Sequence, residues 1–143
     1  MKYLTNKKIN LEKIFTKIFR YNGGAIVVFL GKIRPYNNSK SIKYIFYESY
    51  EVMAEKLIQE YIQLAKYKWN LSDALIIHRI GKVKVNEISV IIITQHDHRK
   101  EAYKANLFLI EKIKHEIPIW KCEYYEDGTY EWNTNQSGKI LKI

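Results

Sequence analysis

Lys114 and Lys121 are the pair of side chains whose type and spacing most invite chemistry. They flank Pro118, and a turn there could fold the two ammonium groups back toward each other. Neighbouring ammonium groups lower one another's pKa, which is one way to prepare a lysine as a base or nucleophile. In so lysine-rich a chain, spacing alone does not single out this pair. Arg34 stands where an apolar run gives way to a polar loop, and His98-Arg99 stand where an apolar strand gives way to a helix. A helix start offers free backbone N–H groups and a partial positive charge, so it can receive a phosphate or carboxylate. An Arg and a titratable His would strengthen that site. The competing reading is that Asp97 caps the helix while His98 and Arg99 face solvent.

Other reactive residues carry weaker signals. Cys122 is the only cysteine, which excludes an internal disulfide or a multi-cysteine zinc site and fits a reducing cytoplasm. A lone strand cysteine reads first as a small buried hydrophobe, with a thiol nucleophile as the alternative. Alternation places Trp120, Cys122 and Tyr124 on one strand face and Lys121 with Glu123 on the other. His78 reads as a strand-end histidine held by a backbone bond. His96 and His98 have the spacing of a strand metal pair but lack an evident third ligand, so no metal is expected. Gly23-Gly24 and Gly31 lack the spacing of phosphate-cradling loops, and no cofactor is expected.

The elements that must position these residues follow from hydrophobic patterning. The 143 residues amount to one domain, and 47% hydrophobic with 14% aromatic residues is too apolar for disorder. Ile14, Phe15, Ile18 and Phe19 recur at helical spacing within 9–20, and Asn22-Gly23-Gly24 stops that helix. Ala25–Leu30 and Ile42–Glu48 read as strands. Met53, Leu57, Tyr61, Leu64 and Ala65 make the apolar stripe of a helix from Tyr50 to about Trp69. Ala74–Ile80 and Ile88–Thr94 are two more strands, joined by a turn at 81–86. A third helix buries Ala102, Ala105, Leu109 and Ile113, and Asp127-Gly128 centres a C-terminal hairpin. The tail after Asn133 is expected to be mobile. Strands arriving in consecutive pairs predict an α+β domain with mostly antiparallel pairing.

The net charge of +9 leaves the partner open, since four of the 24 basic residues are Arg (Arg20, Arg34, Arg79, Arg99) and the rest are Lys. A nucleic-acid-binding face would need that charge clustered on one side. The start of the chain lacks the apolar core of a secretory signal, and no apolar run reaches the ~18 residues of a bilayer span. A cytoplasmic protein without membrane contact is therefore expected.

Together the constellations resemble the catalytic (large) subunit family of molybdopterin synthase, over roughly residues 10–133. The matching segments are Gly24-Ala25 through Phe29, Gly31-Lys32-Ile33-Arg34, Tyr47-Glu48-Ser49-Tyr50 with Met53-Ala54, and His78-Arg79-Ile80-Gly81. Further matches are His98-Arg99, Lys114, Pro118-Ile119-Trp120-Lys121 with Glu123, and Gly128 through Trp132. Their order and spacing together carry the resemblance.

It implies an α+β fold of α/β-hammerhead type over a single domain, residues 1–143, with three helices and a C-terminal hairpin. It also implies an enzyme, a sulfurtransferase that converts cyclic pyranopterin monophosphate into molybdopterin by installing a dithiolene during molybdenum cofactor biosynthesis. The sulfur would arrive as a thiocarboxylate on the C-terminal Gly-Gly tail of a small ubiquitin-like subunit. Two large subunits would form a homodimer at the centre of a heterotetramer. Lys114 and Lys121 match the family's active-site lysines; Arg34, His98 and Arg99 match its substrate-pocket residues. Lys32, Ile33, Cys122 and Glu123 lie in the same pocket segments. Two departures stand out: Asn86 replaces a usual Gly at a turn, and Cys122 replaces a basic or polar residue. The alternative from a different class is a non-enzymatic basic module that binds nucleic acid, using the Lys excess and exposed tyrosines.

Overall fold

A computed structural model describes residues 2–133 of the chain. The polar tail after Asn133, expected to be mobile, lies outside the described residues. The elements are β1 (Leu4–Thr5), α1 (Leu11–Ile18), β2 (Ala25–Lys32), β3 (Tyr36–Asn37), β4 (Lys40–Ser49) and α2 (Glu51–Trp69). They continue as β5 (Asp73–Arg79), β6 (Gly81–Lys84), β7 (Ile88–His96), α3 (Arg99–His115), β8 (Ile119–Tyr125) and β9 (Tyr130–Asn133). Among the described residues the α+β class, the three helices and the hairpin β8–β9 agree with the patterning, and every strand pairing there except the parallel β1–β5 is antiparallel.

Two sheets share the strands, and sequence neighbours are mostly not sheet neighbours. The first has the order β1-β5-β7-β2; in the second, β4 is flanked by β8 on one side and by β3 and β6 on the other. The two strands expected first, β2 and β4, lie in different sheets. β2 pairs with β7, and β4 with β8. The segment at 81–86, expected to be a turn, begins with strand β6: Gly81, with φ +80, swings the chain out of the first sheet and into the second. Asn86 accepts a positive φ of 70 in the tight turn that follows.

Alternation along β7 explains its unbroken apolar sequence. Ile91 and Ile93 pack under Ile14 and Ile18 of α1, whereas Val90 and Ile92 belong to the main core with α2 and α3. A strand covered on both faces needs apolar side chains at every position. The inner face of the second sheet (Ile42, Ile45, Tyr47, Val83, Ile119) joins that same core.

α2 bears out the expected stripe in part: Ala65 is buried and Leu57 and Tyr61 pack half-buried against the core, but the centre of the buried face is Ala54, Ile58 and Ile62, while Met53 and Leu64 face out. Both stripes are apolar at helical spacing, so the helix alone does not choose between them; the small Ala54 and Ala65 let it lie close to its neighbours. On α1, likewise, Phe19 is exposed beyond the helix end.

α3 buries the expected Ala102, Ala105, Leu109 and Ile113. Two polar locks fix it on the first sheet. Asn106 Nδ2 donates to the carbonyls of Val27 (3.1 Å) and Ile92 (3.0 Å), and the Thr94 hydroxyl donates to the Ala102 carbonyl (2.6 Å). These groups are buried, so each satisfied bond also avoids a desolvation cost of roughly 1–3 kcal/mol. Gly24 allows the first sheet to meet the start of α3, since a Cβ there would collide with the Asp97 carbonyl. The N-terminal strand is tied down by Glu55, whose carboxylate accepts from the Tyr3 and Leu4 amides.

Candidate active site

Lys121 sits on β8 opposite Tyr47 of β4, its side chain 23% exposed. Ile119 and Tyr125 on the same strand face are core residues, so Lys121 emerges at the core's margin. Burial is the chief influence lowering the pKa of its ammonium below the usual lysine range. The Glu123 carboxylate opposes that lowering, while Arg34 and Lys114 add to it. Three chain segments, the loop after β2, the end of α3 and β8, thus bring Arg34, Lys114, Lys121 and Glu123 within electrostatic reach of each other.

Each segment is delivered by a local feature. Gly31-Lys32-Ile33-Arg34 leaves β2 through a register shift, and Ile33 plugs into the core while Lys32 and Arg34 stay exposed on either side. The Ile33 amide donates to Glu87 (3.0 Å) and its carbonyl accepts from Asn86 (2.8 Å), so Ile33 anchors the loop that carries Arg34. α3 ends at His115, and the chain turns through Pro118 into β8, as Lys114 and Lys121 require.

Glu123 is buried, and its two oxygens do different things. Oε1 lies 4.0 Å from Lys121 Nζ. Oε2 accepts from Asn37 Nδ2 at 2.9 Å and from the Tyr125 hydroxyl at 3.2 Å. Neither Asn37 nor Tyr125 stands out in the sequence, because the Asn37–Glu123 bond spans 86 positions. The period-two alternation of β8 is the local signal that puts Lys121 and Glu123 on one face, and in the structure Tyr125 lies on that face too.

His98 and Arg99 do not join this cluster within one chain. They begin α3, whereas Lys114 lies 15 residues further along the same helix, an axial separation of about 22 Å. Both are exposed. His98, not Asp97, is the N-cap, and it makes no side-chain cap bond. The His98 amide instead donates to His96 Nδ1 (2.9 Å), and His96 also lies 3.4 Å from Glu101. His96 is therefore engaged in local contacts.

Cys122 is fully buried on the opposite face of β8 from Lys121, and burial is the main cause raising its thiol pKa. A thiol kept protonated and covered is a poor nucleophile. Cys122→Ser is expected to leave turnover at the Lys121 site essentially unchanged, read in a single-turnover assay beside a melting curve. Loss of turnover at unchanged stability would revive a thiol role. His78 points into the core, its Nδ1 donating to the Arg79 carbonyl at 2.6 Å. A cleft of about 690 Å³ between the N-terminal segment and α1 contains none of the candidate residues.

The MoaE protein family model matches residues 4–116. The chain belongs to that family. It is 39% identical over 133 residues to the molybdopterin synthase catalytic subunit of Bacillus subtilis (strain 168), covering 93% of this chain and 84% of that one. Its identity to the subunit of the same name from Staphylococcus aureus (strain Mu50 / ATCC 700699) is 41% over 115 residues, covering 80% and 77% of the two chains. The X-ray crystal structure of molybdopterin synthase from Staphylococcus aureus has the same fold, with a TM-score of 0.82 at 35% identity over 92% of this chain and 96% of that one. The family resemblance and the α+β architecture are thereby borne out. No helix among the described residues of this MoaE-family chain is long and apolar enough to cross a membrane.

Proposed function

We propose that this chain is the catalytic subunit of a molybdopterin synthase, a sulfurtransferase acting on cyclic pyranopterin monophosphate. The sulfur donor is the thiocarboxylated C-terminal Gly-Gly tail of a small ubiquitin-like subunit. The observation that carries this reading is the half-buried Lys121 with Arg34, Lys114 and Glu123 acting on it. The relatives named above support it. A basic nucleic-acid-binding module draws no support from either relative. A cytoplasmic setting belongs to the same proposal.

The chemistry explains the residue types. Substrate phosphate and thiocarboxylate are both anions, and two unit charges held ~4 Å apart repel by about 4 kcal/mol at a near-surface effective dielectric. Arg34 and Lys114 offset that repulsion. Lys121, whose ammonium gives up its proton more readily than an ordinary lysine, takes the role of base. The thiocarboxylate sulfur displaces an oxygen from a pterin side-chain carbon, and Lys121 accepts the proton of the water that then cleaves the acyl–sulfur bond, leaving the sulfur on the pterin and a carboxylate on the tail. Lys32 borders the same loop, and Ile33 and Cys122 contribute backbone rather than side chain.

His98 and Arg99 enter this scheme through a second copy of the chain. The length of α3 keeps them from their own Lys114, so a site that joins Arg34, Lys114 and Lys121 with His98 and Arg99 forms across a homodimer, His98 and Arg99 reaching toward the substrate phosphate. Mixing Lys121→Ala with Arg99→Ala protein tests this. Each variant alone is expected to be inactive, and mixed dimers are expected to regain part of the turnover, because one of their two sites is intact. Mixed dimers that form, by native mass spectrometry, yet stay inactive would overturn the shared site.

A further inference from the structure

We propose that Asn37 and Tyr125 are positioning residues for sulfur transfer: they tether one oxygen of Glu123 so that the other stands 4.0 Å from Lys121 Nζ instead of closing on it. This rests on the reading of Lys121 as the reacting base. A buried carboxylate beside an ammonium ordinarily closes to about 2.7–2.9 Å. Here two donors hold Oε2, and the remaining oxygen stays beyond hydrogen-bond reach. The tethered carboxylate keeps its charge near Lys121 without capturing the Lys121 protons, which remain free to face the substrate.

The tether is built from separate parts of the fold. Asn37 leads into a two-residue hairpin turn between β3 and β4, where Asn38 (φ 49) and Ser39 (φ 65) both take the left-handed conformation of a type I′ turn. The segment from Arg34 to Asn37 therefore serves the site twice, through a guanidinium beside Lys121 and an amide on Glu123. Tyr125 is buried on the strand face shared by Lys121 and Glu123. Its hydroxyl lies between two carboxylates, Glu123 (3.2 Å) and Glu131 of β9 (3.4 Å). Burial first, then those two charges, raise the Tyr125 pKa and keep it a donor.

The groups facing Lys121 are Glu123 on its own strand, Arg34 from the loop after β2 and Lys114 from α3. Those facing Glu123 are Lys121, Tyr47 of β4, Cys122, Asn37, Tyr125 and, through Tyr125, Glu131. Lys121 is the cation that a released Glu123 would turn to. Loss of the tether should then raise the Lys121 pKa, whereas Glu123→Gln, which removes the charge, should lower it.

Asn37→Ala, Asn37→Ser and Tyr125→Phe, singly and as the Asn37→Ala/Tyr125→Phe pair, test this. Tyr125→Phe keeps the ring and its packing, and melting curves confirm folding. The alkaline-rising limb of the single-turnover pH profile is expected to move up by about one pH unit in the pair and down in Glu123→Gln. Turnover at neutral pH should fall about tenfold while KM for the pyranopterin holds. A ¹³C NMR titration of the Lys121 ε-carbon, assigned by its loss in Lys121→Arg, reads the same pKa in the free chain without turnover. An upward shift by NMR in a chain that transfers no sulfur would uphold the tether and sink the proposed function. A limb and an NMR pKa that stay put or move down, in an active enzyme, would overturn the tether alone.

Discussion

Lys121→Ala is expected to lower sulfur transfer by about 10²–10⁴-fold, the span of a lost general base, with no loss of fold. Among the described residues the side chain makes one ion contact, at 4.0 Å, and it lies at the edge of the core. Its removal leaves no cavity among the buried isoleucines and relieves the desolvation that lowers its pKa. Lys121→Arg separates a base from a simple cation, because guanidinium keeps the charge but does not deprotonate. Lys121→Arg is expected to fail almost as badly as Lys121→Ala. Single-turnover assays with the thiocarboxylated small subunit and cyclic pyranopterin monophosphate give the comparison, beside melting curves. Full activity in Lys121→Ala would end the proposed mechanism. Lys114→Ala should cripple transfer as well, and it should move the pH profile upward, because Lys121 then loses a like charge that favours its neutral form.

Acid is expected to weaken the fold through His78. The ring is buried beneath Tyr47, edge to face at 4.9 Å, and donates to the Arg79 carbonyl. Burial lowers its pKa from 6.5 to about 4, against a smaller raising influence from that hydrogen bond. The folded state thus stays neutral where the unfolded chain has begun to bind a proton. Between pH 6.5 and 4 the unfolded state holds more protons, so stability falls as the pH falls through that window. The full displacement corresponds to about 3 kcal/mol, a large part of a typical domain's stability. Urea unfolding at pH 7 and near pH 4 should show this loss in the natural chain and a shallower one in His78→Gln. Equal acid sensitivity in both chains would remove His78 from the account.

The two regions differ in how much of them the sequence reveals. β2, β4, β7 and α3 are legible because each is a run whose apolar period is set by its own residues. The α3 stripe Ala102, Ala105, Leu109 and Ile113 coincides with its buried face, while the apolar residues beside it, Leu107, Phe108 and Ile110, stay exposed or half-buried. α2 carries apolar residues on two adjacent stripes, so packing chooses its face, and the expected stripe holds at Ala65, Leu57 and Tyr61 but not at Met53 and Leu64. Short β1, β3 and β6 carry too few residues to show a period. They exist because a neighbour offers a free edge, as β4 does to β3 and β6.

The site divides along the same line. By itself the sequence determined the residue types, the placing of Lys114 and Lys121 on either side of the Pro118 turn, and the sharing of one strand face by Lys121 and Glu123. Through family resemblance it also named Arg34, His98 and Arg99. Only the tertiary structure decided which of these meet. Pairing of β2 with β7 and of β4 with β8 carries Arg34 and Asn37 to β8, across more than eighty positions in the case of Asn37 and Glu123. The straight length of α3 separates His98 and Arg99 from Lys114. The physical reason is one of range. Periodicity and turn preference act over a few residues, whereas burial of Lys121, and the charges that tune it, arise from strands paired far apart in the chain.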